Sequence, residues 1–508
     1  MSSIFSYFRK RPHLLILGFI LLTGLFFRTY KVIERFDFAA DGDLFSWIVK
    51  DIVVNGHFRL IGQLTTAPGI FIGPFWYYLI TPFMMLTNMD PIGAIIPTVI
   101  IGVLTVFSYY FVFSKLFNTK VGLIISFLYA ILLNAVQLDR RVVPSTPTVL
   151  WHVWYFYSVV SLARGNYKVL PLLGVLIALI WHIHIALLPA LIAIPVAMIV
   201  AKKLPNRKQL ITSLAAFFIT SIPLILFETR HGFQQTISIF QNFFITTKLL
   251  QAPLIKSEGA TGLYKFQQVL EMITKNINNL FFSPQSFETT QNFIFILLIL
   301  LSALFLVKKK LLSFKEVIVF YAWVLGVIGF FSLSSSPISE YYFANIEIIF
   351  LTIVSLLLYF LFKNSKLGKV IVIAILGIVL IKNTNFMINQ YYYSKGYVAR
   401  KETVDFIVKD AKEKGYPCIG ISYITTPGEN VGFRYFFYLK NQHLVHPSVD
   451  IPVYNIVIPD ELSLREVRQK FGHIGVIPPV KIPSKEIIEK SCQTPDTNLT
   501  DSMFGYVN

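Results

Sequence analysis

The chain has 508 residues, of which 55% are hydrophobic, 15% aromatic and only 14% charged. A soluble globular protein carries about 25% charged residues, so a large soluble enzyme around one buried core is excluded. Apolar stretches long enough to cross a hydrocarbon layer of about 30 Å recur along the first three quarters, which makes this a polytopic α-helical membrane protein. Cys418 and Cys492 are the only cysteines; this excludes a disulfide scaffold or a Cys-ligated zinc module and leaves the two able to pair with each other.

The net charge is +18. The whole excess lies in six short segments between apolar runs: Arg9, Lys10, Arg11; Lys115, Lys120; Arg164, Lys168; Lys202, Lys203, Arg207, Lys208; Lys308, Lys309, Lys310, Lys315; and Lys363, Lys366, Lys369. Short basic loops are cytoplasmic loops, whereas nucleic-acid binding needs a basic patch on a folded face. No nucleic-acid partner is expected.

In chain order, with the N-terminus inside, residues 14–30 carry the chain out. No small-residue cleavage site follows them, so they read as an anchor and not as a removed signal. Lys115 and Lys120 must again be inside, which allows one crossing between 31 and 114. Residues 70–86 hold Gly73-Pro74, Pro82 and a Trp76-Tyr77-Tyr78 cluster, which suit an interfacial or re-entrant helix. The crossing is therefore 92–113, and 31–90 form the first outer loop. The run 169–200 is basic on both flanks, so it folds as a hairpin of two short helices with its tip near Trp181-His182-Ile183-His184. With further crossings near 121–137, 148–163, 210–227, 291–307, 316–333, 345–362 and 369–386 the count is about eleven. The C-terminus then lies outside. Residues 228–290 form a second long outer loop, and 387–508 a small extracytoplasmic α/β domain: helix 398–414, strand 418–425, helix 431–440, and short strands at 454–458 and 472–477. No internal repeat of the inverted-transporter kind is evident.

The predicted spans are nearly free of ionisable groups, with Glu347 the main exception. Charges lining a central pathway mark transporters, so a site at the outer surface fits better than a channel. In the first outer loop, Asp41 and Asp43 open an amphipathic helix (44–54). Local sequence favours the reading that one of them is simply an N-cap; the functional reading is a general base deprotonating an acceptor hydroxyl.

Four motifs then occur in order, all on the outer side: the Asp at the head of that helix followed by Gly62-Gln63-Leu64-Thr65-Thr66-Ala67-Pro68-Gly69-Ile70-Phe71-Ile72-Gly73-Pro74; Leu138-Asp139-Arg140-Arg141-Val142-Val143-Pro144; Trp181-His182-Ile183-His184; and Phe227-Glu228-Thr229-Arg230-His231. Over roughly residues 10–380 this resembles the GT-C superfamily of membrane glycosyltransferases. Within it the likeness is to the bacterial relatives of protein O-mannosyltransferases and of the lipid A aminoarabinose transferase (glycosyltransferase family 39). The resemblance implies an enzyme that moves a sugar from a polyprenyl-phosphate donor to a protein, lipid or polysaccharide acceptor on the outer face of a plasma membrane, with a bacterial source favoured. The superfamily usually has Asp-Glu at the helix start. Here Gly42 replaces the Glu and Asp43 follows, and the spacing to Phe45 favours Asp41 as the base over Asp43.

Under that reading Arg140, Arg141, Arg230 and His231 are expected on the donor phosphate, since Arg binds phosphate bidentately. Tyr77 and Tyr78 either line the lipid groove or anchor the interfacial helix. Asp139, His182, His184, Glu228 and Glu340-Tyr341-Tyr342 are expected near the substrates. No metal ligand set is evident, although a divalent cation is left open. The alternatives are a transporter or flippase of lipid-linked sugars, a ligase or polymerase of lipid-linked oligosaccharide, and a non-catalytic protein whose C-terminal domain binds a partner.

Overall fold

In the computed structural model, residues 11–65, 69–244, 263–283, 289–334, 338–390, 394–463 and 467–500 are described. Of the quoted motif residues, Thr66-Ala67-Pro68 lie outside these, as do the basic Arg9 and Lys10.

The protein is mostly helical. Five helices are long and apolar enough to cross a membrane: Pro12–Thr29, Pro91–Leu116, Phe314–Leu333, Tyr341–Asn364 and Lys366–Asn389. Two further spans arise if each bent pair counts as one: Thr119–Ile131 with Leu133–Asp139, bent by 71°, and Arg207–Thr220 with Ile222–Arg230, bent by 64°. The segment read as interfacial is Phe75–Leu86, only 12 residues long and so about 18 Å at 1.5 Å per residue, too short to span. The run 169–200 folds as a hairpin of Tyr167–Ile183 and Ile185–Ala201, broken at His184, whose φ of −168° and ψ of 131° are extended. The second long loop differs from the irregular connection expected. It contains the amphipathic helix Leu263–Phe282, whose Val269, Ile273, Ile277 and Leu280 are buried in the membrane core.

Beyond residue 394 the chain forms a five-stranded sheet. Its strands are β1 Ile419–Thr425, β2 Leu444–Val445, β3 Val453–Ile458, β4 Gln469–Phe471 and β5 Ile474–Ile477, in the order β2-β1-β3-β5-β4. β1 pairs parallel with β2 and β3, and β5 antiparallel with β3 and β4. Helix Tyr397–Glu413 covers this sheet, and Cys418 and Cys492 are joined in a disulfide across 74 residues of sequence.

Two hydrophobic cores organise the molecule. One is the bundle of apolar helices. The other unites the first outer loop with the C-terminal segment: Phe36, Phe38, Phe45, Trp47 and Trp76 pack in one cluster with Tyr397, Phe436, Tyr454 and Val476. Phe38 is wholly buried and its ring lies 5.0 Å from Phe436 and 6.3 Å, edge-on, from Tyr397. Such aromatic pairs add about 0.5–1.5 kcal/mol each beyond their area. Polar ties reinforce this core. Asp90 accepts from the Tyr397 hydroxyl at 2.7 Å and from Lys401 Nζ at 2.6 Å, and the Tyr435 hydroxyl donates to the Met89 carbonyl at 2.9 Å.

Within the membrane bundle the sequence reading missed ionisable groups. Arg28, fully buried near the end of the first span, holds Asp139 Oδ2 through Nε at 2.8 Å and Nη2 at 2.5 Å. Its Nη1 donates to the Gly24 and Ala130 carbonyls, and the Tyr129 hydroxyl donates to Asp139 Oδ1 at 2.7 Å. Gly102 makes room, since a Cβ there would lie 2.6 Å from Arg28 Cδ and Nε. Lys382, in one of the spans read as nearly free of ionisable groups, donates to the Phe282 carbonyl at 3.2 Å. Removing one partner of a buried ion pair leaves the other charge uncompensated, at about 3–5 kcal/mol. Arg28→Met should therefore lower the unfolding midpoint sharply in detergent, and Arg28→Met combined with Asp139→Asn should recover most of the loss.

Candidate active site

Helix Ala40–Asn55 begins four residues earlier than expected, so Asp41 and Asp43 both sit in its first turn. The two point to opposite environments. Asp43 is 0% exposed and faces the C-terminal segment. Among the described residues neither of its carboxylate oxygens has a hydrogen bond of ordinary geometry, although the Gly432 amide and the Trp47 indole lie near enough to act on it. Burial pushes its pKa up to about 6, against the pull of the Gly432 amide, Arg434, Arg400 and the Trp47 indole. Those two arginines are themselves held. Arg400 Nε donates to the Val431 carbonyl at 3.0 Å, and Arg434 Nε donates to Asn498 Oδ1 at 2.9 Å. Gly432, at φ +88°, is a position where a side chain is both strained and blocked, because a Cβ would lie 2.9 Å from Arg400 Cδ.

Asp41 is exposed. Its carboxyl is raised by partial burial first and by the charge of Asp37 second. Between them, Gly42 is required by packing: a Cβ there would meet the Phe38 ring at 2.6 Å. The Phe38 ring thus takes the space where the Glu usual in the superfamily would begin.

Asp41 shares its surroundings with Arg141 and Tyr341, since both charges act on the Tyr341 phenol. A small cavity of about 30 Å³ lies here, lined by Leu138, Arg141, Ser145, Thr148, Tyr341 and Ala344 among others. Tyr341 is held by the hairpin tip. His184 Nδ1 accepts from the Ala186 amide at 3.1 Å, which leaves the proton on Nε2, 3.3 Å from the Tyr341 hydroxyl. The His184 ring also packs at 5.2 Å from Tyr342. The side chain of Glu340 lies outside the described residues. Asp41, Arg141, His184, Tyr341 and Tyr342, expected from four separate motifs, are thus brought to one place.

Other expected residues are engaged elsewhere. Asp139 is buried against Arg28 and Tyr129, closed to substrate by its ion pair. Arg140 caps the first span: Nε donates to the Arg28 carbonyl at 3.2 Å and Nη2 to that of Tyr30. Tyr77 is 2% exposed and packs on Phe45 in the outer core, not in a lipid groove. The Tyr78 hydroxyl accepts from the Arg59 amide and donates to the Arg59 carbonyl, at 2.8 and 2.7 Å. His182 is buried, with Nε2 donating to the Thr220 carbonyl at 3.1 Å. Its ring packs so tightly on Gly73 that a Cβ there would lie 2.0 Å from Nδ1. The Gly73 amide also donates to the Trp181 carbonyl at 2.7 Å, so His182 and Gly73 pin the first outer loop to the hairpin.

Glu228 accepts from the Thr236 amide at 3.0 Å, and His231 stacks on Phe227 at 4.2 Å while Nδ1 donates to the Phe227 carbonyl. Arg230 is exposed. Its helix touches the first outer loop through Phe227, whose ring lies 6.3 Å from Phe71, and in the next helix Gln235 Oε1 accepts from the Phe71 amide at 3.1 Å.

Sequence reasoning missed Arg28, Arg400 and Arg434. The first carried a signal, an arginine inside an apolar span; the other two depend on long-range folding and carried none. Among the described residues the one cluster of three ligating groups is Asp460, Glu461 and His473. It does not include Asp41, and Lys470 already pairs with Asp460 at 2.5 Å.

Residues 72–226 match the family described as dolichyl-phosphate-mannose-protein mannosyltransferase. No curated protein matches the chain in sequence. ArnT from Cupriavidus metallidurans, in its structure bound to undecaprenyl phosphate, is similar with a TM-score of 0.54 at 11% identity, over 92% of this chain and 97% of that one. Its apo state is similar with a TM-score of 0.53. The apo oligosaccharyltransferase of Archaeoglobus fulgidus is similar at 14% identity with a TM-score of 0.46, over 86% of this chain. This chain spans only 64% of that protein's length. The family match covers under a third of the chain, the fold is ArnT-like, and the apolar helices make this a multi-pass membrane protein.

The buried Asp43 makes a testable difference between the two carboxylates. A carboxyl whose folded pKa is raised from 3.8 to about 6 binds protons more tightly in the native state. Stability therefore falls as pH rises from 4 to 6, by about 3 kcal/mol in all. Asp43→Asn mimics the protonated form. Its unfolding midpoint should exceed the parent's at pH 8, and the gap should close by pH 4.

Proposed function

We propose that the chain transfers a sugar from a polyprenyl-phosphate donor to an acceptor hydroxyl at the outer membrane surface, with Asp41 as general base. The observation that carries this reading is the contrast within one helical turn: Asp41 is exposed beside Arg141 and Tyr341, whereas Asp43 is closed off. In the transfer the acceptor oxygen bonds to the anomeric carbon as the bond from that carbon to the phosphate oxygen breaks. The acceptor proton goes to Asp41, and polyprenyl phosphate leaves with the bond electrons. The configuration at the anomeric carbon inverts. Arg141 neutralises the departing phosphate, and the exposed Arg230 is the second cation available to it. His184 orients Tyr341 at the edge of the site.

The same reading takes the eleven crossings expected from the sequence, with Phe75–Leu86 left interfacial, through a bacterial plasma membrane with the basic loops inside. Residues 387–508 then lie outside, sharing their core with the first outer loop. The Cys418–Cys492 disulfide supports that side, because disulfides persist in oxidising compartments. The ArnT structure with undecaprenyl phosphate supports the donor class.

The test is release of polyprenyl phosphate by the purified full chain given a panel of polyprenyl-phosphate sugars. Asp41→Asn should lower release by about 10²–10⁴-fold, the usual contribution of a general base, while Asp43→Asn retains it. Parental release from Asp41→Asn would refute the assignment. Because the charge of Asp37 helps to raise the Asp41 carboxyl, activity should fall as pH drops through a value above the ordinary 3.8. Asp37→Asn should move that acid limb of kcat/KM to lower pH.

A further inference from the structure

At the far end of the bundle lies a second cavity, of about 580 Å³, where the ends of several helices meet. Helix Pro91–Leu116 begins beside the outer core and ends in this cavity. Its 26 residues separate the two by roughly 39 Å at 1.5 Å per residue. The walls divide by chemistry. Leu116, Val307, Leu312 and Leu356 line it with apolar surface, while Arg164, Lys310, Lys363 and Glu316 bring charge.

The charges do not cancel. Arg164 places Nε and Nη2 on Glu316 Oε1, at 2.7 and 2.6 Å, and Nη1 on the Leu116 carbonyl at 2.7 Å. The other oxygen of Glu316 accepts from the Ser313 amide at 2.8 Å. The one carboxylate in the lining is therefore neutralised, and its partner is fully used in tying helices together. Lys310 and Lys363 are exposed and form no ion pair among the described residues. Two helix N-termini, capped by Asn118 and Ser313, open at the same wall and add positive potential. Around the mouth Lys115, Lys120 and Lys309 lie over Tyr157, Phe362 and Phe360, at 5.0, 5.8 and 5.6 Å.

A dicationic mouth above an apolar wall, at the membrane boundary, matches a molecule with one anionic head and an apolar tail. Basic pockets between membrane helices bind anionic lipid headgroups in this way. We propose that this cavity holds an anionic phospholipid, its phosphate between Lys310 and Lys363 and its acyl chain along Leu312 and Leu356. The site is distinct from the cavity lined by Arg141 and Tyr341 and does not rest on the proposed transfer reaction. The shared chemistry is a phosphate, which a soluble anion also carries; the apolar wall favours the lipid.

The experiment is native mass spectrometry of the full chain in detergent, titrated with phosphatidylglycerol, with phosphatidylcholine of the same acyl chains, and with inorganic phosphate. Phosphatidylglycerol should be retained in preference to phosphatidylcholine. The double variant Lys310→Gln, Lys363→Gln should bind it about thirty-fold more weakly, from about five-fold per lysine near a membrane surface. Lys310→Arg with Lys363→Arg should restore retention, and Lys202→Gln with Lys208→Gln, at exposed lysine positions outside the cavity, should leave it unchanged. Equal retention of the two lipids would overturn the proposal, as would parental retention by the double Gln variant or an equal loss in the Lys202/Lys208 variant. Inorganic phosphate binding with the same dependence on Lys310 and Lys363, without lipid preference, would replace the lipid by a soluble anion.

Discussion

The ion pair between Arg28 and Asp139 is the constraint on which the candidate site depends. It joins the C-terminal end of the first span to the turn that carries Arg140 and Arg141, across 111 residues of sequence. Charges inside a bilayer persist only when paired and hydrogen-bonded, and every polar atom of this cluster that the bonds reach is directed inward. Arg140, next along the chain, closes the end of the same helix by taking two of its last carbonyls. With Asp139 and Arg140 both fixed, Arg141 is left to face outward beside Tyr341. The helix that follows the first span then brings the charge of Asp41 within reach of Tyr341.

The first turn of that helix divides labour between two like residues. Asp41 has water on one side and neighbouring charges on the other, which suits a group that must exchange a proton. Asp43 is enclosed by the loop around Gly432 and the arginines of the C-terminal segment. It links the catalytic-side helix to the sheet beyond residue 419, and its electrostatic surroundings are supplied almost wholly by residues close to 400 positions later in the chain.

Much of the helical plan was legible in the sequence, because apolar length and loop charge act locally. The hairpin broken at His184, the short helix Phe75–Leu86 and the helix Tyr397–Glu413 all fall close to where composition places them. The amphipathic helix Leu263–Phe282 was missed because its polar face breaks the apolar run that marks a span. The strands β2 and β4, two and three residues long, carry too few side chains for a pattern. In the site, the clustering of motifs was readable but the individual roles were not. Arginines 140 and 141 are identical in sequence and adjacent, and only the Arg28 and Tyr30 carbonyls distinguish them. Asp41 and Asp43 are separated in the same way, by partners that no local window contains.

The shared core of the first outer loop and the C-terminal segment bears on the order in which the protein matures. Asp90 and Met89 find their partners at Tyr397 and Tyr435, 307 and 346 residues downstream. Phe38 and Trp47 find their packing surface on Tyr397, Tyr435, Phe436 and Tyr438, far downstream in the chain. The helix bearing Asp41 must therefore wait, with its aromatic face uncovered, while every intervening span is threaded into the membrane. The aromatic face of the helix bearing Asp41 is thus completed only by residues beyond 394, after the whole set of apolar helices.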